Sequence, residues 1–300
     1  MLPSSEEHAR YEGSWPRAFL EGAALLRLVL EPSGKRPERF YTFLSTHNLL
    51  SEHSLFMNLG YWADPRVRTL DEASRALAEL LGRTARLGPR DEVLDVGFGF
   101  GDQLLYWTGS FHPQRLTGID LTPLHVDIAR ERMARVGLAS RVLLQVGSAT
   151  RLPFPARRFD KVVSLESAFH FDTREDFFAE AWRVLRPGGR LALTDILPLP
   201  GHRFSRPFQA VWQIPRENLY SREEYPSRLM AAHFEGVEVH SIREHVYEPL
   251  LLFLGRRLEA PELVHRMNPL LRLASNPWWY ARRVRSTFDY VLATGVKPLR

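Results

Sequence analysis

The chain contains no cysteine. Disulfide scaffolds, thiolate zinc sites and cysteine nucleophiles are therefore excluded together, and a reducing compartment is the natural setting. Lysine is nearly as scarce: only Lys35, Lys161 and Lys297 occur, so 37 of the 40 basic residues are arginine and Schiff-base chemistry has few candidates. No apolar run approaches the roughly 18 residues needed to span a bilayer. The segment Met1 to Gly13 is acidic and polar, with neither the basic n-region nor the apolar h-region of a secretory signal. Together these absences predict a cytoplasmic protein. There is also no H-E-x-x-H and no acid-rich loop, so no metal is expected at the site.

What is present is an ordinary soluble composition, 44% hydrophobic and 25% charged over 300 residues, enough for one large α/β domain or a domain with a lid. The formal charge of +5 is unevenly spread. Residues 251 to 300 carry nine Lys/Arg against three Asp/Glu, a local +6, so the other 250 residues sum to −1. A nearly neutral body gives no continuous phosphate-tracking stripe, and nucleic acid is not the expected partner. The basic stretch mixes Leu250 to Leu254, Trp278-Trp279-Tyr280 and Arg282, Arg283 and Arg285. It reads as a substrate lid, a homodimer contact, a weak membrane-surface site or a solvated helix face.

Residues 15 to 60 read as helical, with Phe19, Leu20, Ala23 and Ala24 ahead of a break at Pro32-Ser33-Gly34, and another helix is expected from Leu70 to Leu81. The texture then changes. Short apolar runs at Glu92 to Val96, Leu116 to Asp120, Val142 to Val146, Lys161 to Leu165 and Leu191 to Ile196 alternate with helical patterns such as Val126 to Val136 and Arg174 to Leu185. That alternation builds right-handed βαβ units and a parallel sheet, an α/β fold. Pro187-Gly188-Gly189 reads as a turn between a helix and the next strand, and Ser221-Arg222-Glu223-Glu224 has capping-box spacing and should start another helix. Two further strands are expected near Val237 to Ile242 and Asp289 to Ala293. The expected organisation is a helical cap over 1–80, a core over 81–198, a lid and helix insertion over 199–234, and C-terminal strands over 235–300 with a basic helical insert near 249–286.

The strongest local feature is Val93-Leu94-Asp95-Val96-Gly97-Phe98-Gly99-Phe100-Gly101-Asp102. A strand runs into a glycine turn, where missing Cβ atoms let a ligand lie against the backbone. The dinucleotide spacing G-x-G-x-x-G would need glycine at Asp102, and Asp95 and Asp102 would both repel a pyrophosphate. The pocket suits a ligand without phosphates. A second acid, Asp120, ends the next strand, where a carboxylate can accept both hydroxyls of a ribose, cap the helix beginning near Pro123, or do both.

Several segments in order, covering roughly residues 55 to 245, resemble the class I S-adenosylmethionine-dependent methyltransferases: the Asp95-to-Gly101 turn, Asp120-Leu121-Thr122, Gly147 to Phe154, Phe159 to Ser164 and Arg183-Val184-Leu185-Arg186-Pro187-Gly188-Gly189. The resemblance implies a Rossmann-like, doubly wound sheet of seven strands with the last antiparallel, and S-adenosyl-L-methionine as cofactor. It implies that Asp95 and the backbone of Gly97, Phe98, Gly99 and Gly101 hold the methionyl end, that Asp120 holds the ribose and that Leu121 packs on the adenine. Ser148 and Ala149 would face the adenine edge, where the family usually has an acid in place of Ser148. Leu165 would make a backbone contact to the cofactor.

Glu166-Ser167-Ala168-Phe169-His170 follows the fourth strand, and Asp195 ends the fifth. A histidine and an aspartate from adjacent strand ends can meet, the carboxylate fixing the imidazole tautomer while the free nitrogen takes a proton. His170 is thus the expected base and Asp195 its orienter; the alternative is that His170 caps the following helix or bonds the backbone. E-S-x-x-H with a strand-end Asp looks like the small-molecule methyltransferases acting on natural-product hydroxyls and sugars, and relatives methylating tocopherols or sterols at carbon carry a similar motif. The expected acceptor is therefore a hydroxyl on a lipophilic small molecule, with carbon or nitrogen methylation and a non-catalytic cofactor-binding role as the other readings. Met57-Asn58-Leu59-Gly60-Tyr61-Trp62 looks like the segment covering the cofactor's methyl end in this subgroup. Tyr61 either bounds that chamber or packs the core. Trp62, Glu166, Phe169, Phe208 and Trp212 are the candidates for the substrate wall.

Overall fold

A computed structural model describes residues 51, 53–202, 214–257 and 284–300. Of the helical pattern expected over 15–60, residues 15–50 lie outside the described residues, as do the candidates Phe208 and Trp212 and most of the basic insert, whereas residues 53–60 form no helix because the N–H groups of Ser54, Leu55 and Leu59 go to side-chain carboxylates instead. Strands β1 (Glu92–Val96), β2 (Arg115–Asp120), β3 (Val142–Val146), β4 (Phe159–Leu165) and β5 (Leu185–Pro198) pair in parallel. Beyond β5, β7 (Phe288–Val296) pairs antiparallel with both β5 and β6 (Glu235–Ser241). The full order is β3-β2-β1-β4-β5-β7-β6, the seven-stranded sheet with an antiparallel last strand that the resemblance implied.

Side chains alternate across a strand, so neighbouring residues serve opposite cores. Val93 joins a core with Leu77 and Leu81 of α1 (Leu70–Ala85), Trp107 of α2 (Asp102–Ser110) and Met133 of α3 (Pro123–Arg135). Leu94 joins the other, with Phe177 and Phe178 of α4 (Arg174–Val184) and Leu229 of α5 (Tyr225–Ala231). Both faces of the sheet are covered, which is why its inner strands are apolar runs. A third cluster packs Trp62, Leu70 and Ala73 on Leu250 and Phe253 of α6 (Tyr247–Arg257).

Local chemistry sets the helix starts. Thr69 and Glu72 form a reciprocal capping box on α1, and the Thr173 hydroxyl accepts the Asp176 N–H on α4. Two turn expectations need correction. The helix does end at Val184, but Leu185 pairs directly with Phe159 and β5 continues through Pro187-Gly188-Gly189, a register shift between Phe159 and Lys161 absorbing them. Residues 221–224 form a turn rather than the first turn of a helix; Glu224 accepts the Ser221 N–H at 3.2 Å and α5 begins at Tyr225. Among the described residues, no helix is long and apolar enough to cross a membrane.

Candidate active site

Parallel strands bring their carboxyl ends to one edge of the sheet. There Val96, Asp120, Gly147 and Leu165, at or just beyond the ends of β1 to β4, line a cleft of about 200 Å3. The glycine turn forms its floor, with Gly97 at φ 81° and Gly99 at φ 56°, the left-handed region that favours glycine. At Gly97 a Cβ would lie 2.3 Å from Ser167 Oγ. Ser167 is that close because it donates to Val96 O at 2.9 Å, fastening the β4 loop to the end of β1. At Gly99 a Cβ would meet only the Met57 methyl, at 3.4 Å, so the backbone lies bare to the cleft. Gly101, at φ 82°, caps α2 and lies behind the lining.

Asp95 sits beneath this floor, fully buried, with no hydrogen-bond partner for either carboxylate oxygen. Burial pushes its carboxyl well above the usual carboxylate range, the Asp120 charge adds to the rise, and the nearby Gln103 side chain offsets only part of it. Asp120 has a different setting. Its Oδ2 accepts the Gly99 N–H and its Oδ1 the Thr122 N–H, both at 2.9 Å, while His125 Nδ1 lies 3.3 Å from Oδ1. It therefore braces the glycine turn and the entry to α3 while lining the cleft. Leu121 lines it too, 52% exposed. Ser148 and Ala149 complete the β3 side, and the Ser148 hydroxyl connects through Thr150 (2.9 Å) towards Asp172 (3.4 Å).

The roof is the segment before α1, held by three carboxylates. Asp71 accepts the Ser54 N–H at 2.8 Å, Asp102 the Leu55 N–H at 3.2 Å and Glu166 the Leu59 N–H at 2.8 Å. Asp102 is itself gripped by Arg132 at 2.6 and 2.8 Å. Glu166 also accepts from the Tyr290 hydroxyl and adopts φ 53°. Burial raises its carboxyl to about 8, against the lowering effect of those two donors, with Asp195 adding to the rise.

His170 lies in the cleft wall on the 3-10 turn Ala168–His170, its ring 3.8 Å from that of Phe169, which also lines the cleft. The hydrogen bonds of Asp195 go elsewhere. The Asp195 carboxylate is fully buried and accepts from Arg174 Nε at 2.6 Å and Nη2 at 3.2 Å, from the Tyr225 hydroxyl at 2.8 Å and from the Ile196 N–H at 2.8 Å. A buried guanidinium needs a carboxylate more than an imidazole does, so Arg174 takes the partner expected for His170. Tyr61, a candidate cofactor contact, takes its packing alternative, and Trp62 is absent from the substrate wall: neither lines the cleft. Tyr61 packs edge-on to His245 at 5.4 Å, and Trp62 stacks on Phe253 at 5.2 Å while donating to Leu59 O. Met57 and Asn58 of the same segment face the cleft instead.

Residues that sequence reasoning passed over include Gln103, His125 and Asp172. His125 lies five residues after Asp120, in the first turn of α3, a spacing that could have flagged it. Among the described residues, no group of three or more His, Cys, Asp or Glu could hold a metal ion.

Residues 94–193 match a family model described as a methyltransferase domain. The erythromycin 3''-O-methyltransferase of Saccharopolyspora erythraea is 42% identical over 240 residues, covering 77% of this chain and 78% of that protein. Among solved structures, geranyl diphosphate C-methyltransferase from Streptomyces coelicolor A3(2), in complex with Mg2+, geranyl diphosphate and S-adenosyl-L-homocysteine, has a TM-score of 0.69 at 18% identity, covering 89% of this chain and 99% of that one. The [4+2]-cyclase SpnF has a TM-score of 0.69 at 21% identity, covering 90% and 98%. At such identities these two show the fold alone. The chain belongs to the class I S-adenosylmethionine-dependent methyltransferases, in the branch acting on small molecules, and its cofactor is S-adenosyl-L-methionine.

Proposed function

We propose that the protein methylates a hydroxyl group of a lipophilic small molecule and that His170 takes the proton. The observation that carries this reading is the place of His170, in the wall of the cleft into which the bare glycine turn opens. The 42% identical relative, named as an O-methyltransferase, supports the hydroxyl as acceptor.

The residues present fit the cofactor. A buried carboxylate with no partner lies under a floor without side chains, a second carboxylate stands at the next strand end, and an exposed leucine follows it. The Gly97–Phe100 backbone, with Asp95 beneath it, would hold the methionyl end, Asp120 the ribose, and Leu121, Ser148 and Ala149 the base, while Gly101, expected with them, stays behind as the helix cap. When bound, S-adenosyl-L-methionine supplies an electrophilic methyl group on a sulfonium. Methyl transfer disperses positive charge along a line, so alignment and a dry pocket provide much of the acceleration. With the cofactor bound, the roof residues Met57 and Asn58 would shield its methyl end from water, and Phe169 would offer an apolar surface to the acceptor. A hydroxyl is a weak nucleophile until its proton is leaving, and imidazole is suited to remove that proton near neutral pH.

His170→Ala is expected to lower kcat by about 10^2- to 10^4-fold at saturating cofactor and acceptor, the usual contribution of a general base. Cofactor binding by calorimetry should be unchanged. Undiminished turnover would remove His170 from the reaction. The acceptor atom is read by incubating the enzyme with methyl-labelled cofactor and producing-cell extract, then locating the label by NMR; a methyl bonded to carbon or nitrogen would overturn the hydroxyl assignment.

A further inference from the structure

We propose that Asn218 is the positioning residue that holds His170 in the cleft, and that Asp195 acts on the base only through Arg174 and Asn218. The inference rests on the reading of His170 as the base. Asn218 ends the 3-10 turn Arg216–Asn218 and is fully buried. Its amide donates to Phe171 O at 2.7 Å and to Phe169 O at 3.4 Å, the carbonyls on either side of His170. Its side-chain oxygen accepts the Arg174 N–H at 2.9 Å, and its main-chain carbonyl accepts Arg174 Nη1 at 2.5 Å. Arg174 directs its remaining donors to Asp195 and to Ile196 O at 2.9 Å.

One amide thus grips both flanks of a three-residue turn. The turn is closed by His170 N–H to Ser167 O at 3.1 Å and Phe171 N–H to Ala168 O at 3.2 Å. A single 3-10 turn has little stability by itself, so its orientation is set by what holds it from outside. Asn218 does not line the cleft and meets neither cofactor nor acceptor. Its effect must pass through where it puts the imidazole. The same bonds give Asp195 a place in the chain of support without contact: it fixes Arg174, Arg174 fixes Asn218, and Asn218 fixes the turn.

The test is a double-mutant cycle. Asn218→Ala removes the amide. Asn218→Asp keeps its volume and the acceptor for Arg174 but loses both donors, and serves should the alanine variant not fold. In each folded variant kcat should fall about 10- to 100-fold, the scale of a small misplacement of a reacting group. Cofactor affinity by calorimetry should stay within about 2-fold, since the glycine turn is untouched. In a His170→Ala background the same substitutions should cause no further loss. An equal loss in both backgrounds would show general damage and overturn the proposal, as would full activity of the Asn218 variants beside an impaired His170→Ala enzyme. An undiminished His170→Ala enzyme overturns both this inference and the base assignment beneath it.

Discussion

Asp95 and Asp195 look alike in the sequence, acids in apolar strands ahead of a turn, and both are fully buried. Their chemistry is opposite. Asp195 is saturated by Arg174, Tyr225 and a backbone amide, whereas neither oxygen of Asp95 has a partner. Asp195→Ala should therefore cost about 3 to 5 kcal/mol in chemical denaturation, because it strands the Arg174 charge in the interior. Asp95→Asn should do the reverse without cofactor, raising the melting temperature at neutral pH by removing a carboxylate that burial disfavours, while weakening cofactor binding in calorimetry. A lower melting temperature for Asp95→Asn would contradict its lack of a partner. What separated the two was the residue they could reach. Arg174 opens an amphipathic helix and reads as a surface position, and nothing in its local pattern announces that its guanidinium turns under the sheet.

Among the elements, the strands were the most legible. Val142 to Val146 coincides with β3 because an apolar run between turn signals has little else to become. The roof was less so. Its family resemblance drew attention to Tyr61 and Trp62, but Gly60, at φ 80° and with a Cβ that would fall 2.5 Å from the Ala73 methyl, turns the chain there, and Trp62 packs between α1 and α6 while Tyr61 packs against His245. A reversal at one glycine moves a side chain from cleft to core, and spacing does not reveal it. The glycine floor gives a sharper expectation. Gly97→Ala must move Ser167 and strain a positive φ, so it should abolish measurable heats of cofactor binding and lower stability. Gly99→Ala has room, strains only its φ, and should mainly weaken cofactor binding.

For the whole molecule, the raised carboxyls predict how stability follows pH. Glu166 moves from an ordinary 4.5 to about 8, so between these values the folded state binds more protons than the unfolded chain. Its contribution is complete below about pH 4.5 and is lost as pH rises through about 8, with Asp95 acting in the same direction. Melting temperatures measured across that interval should fall less with rising pH for Glu166→Gln than for the wild type, since a neutral amide can still accept the Leu59 and Tyr290 donors. Parallel slopes would mean that Glu166 is ionised in the folded protein.

The position of β7 governs the order in which the sheet can be completed. Translation delivers β6 before β7, yet β6 touches the sheet only through β7, which also covers the free edge of β5. While the ribosome is still short of Phe288, the five parallel strands can assemble but β5 remains an open edge and β6 has no ladder to join. Arrested chains that end before Phe288 should thus be cleaved by protease along β5, and chains carrying Val296 clear of the exit tunnel should not. Made after the other six strands of the sheet, β7 is its keystone, and until it emerges the β5 edge is open to strands of other chains.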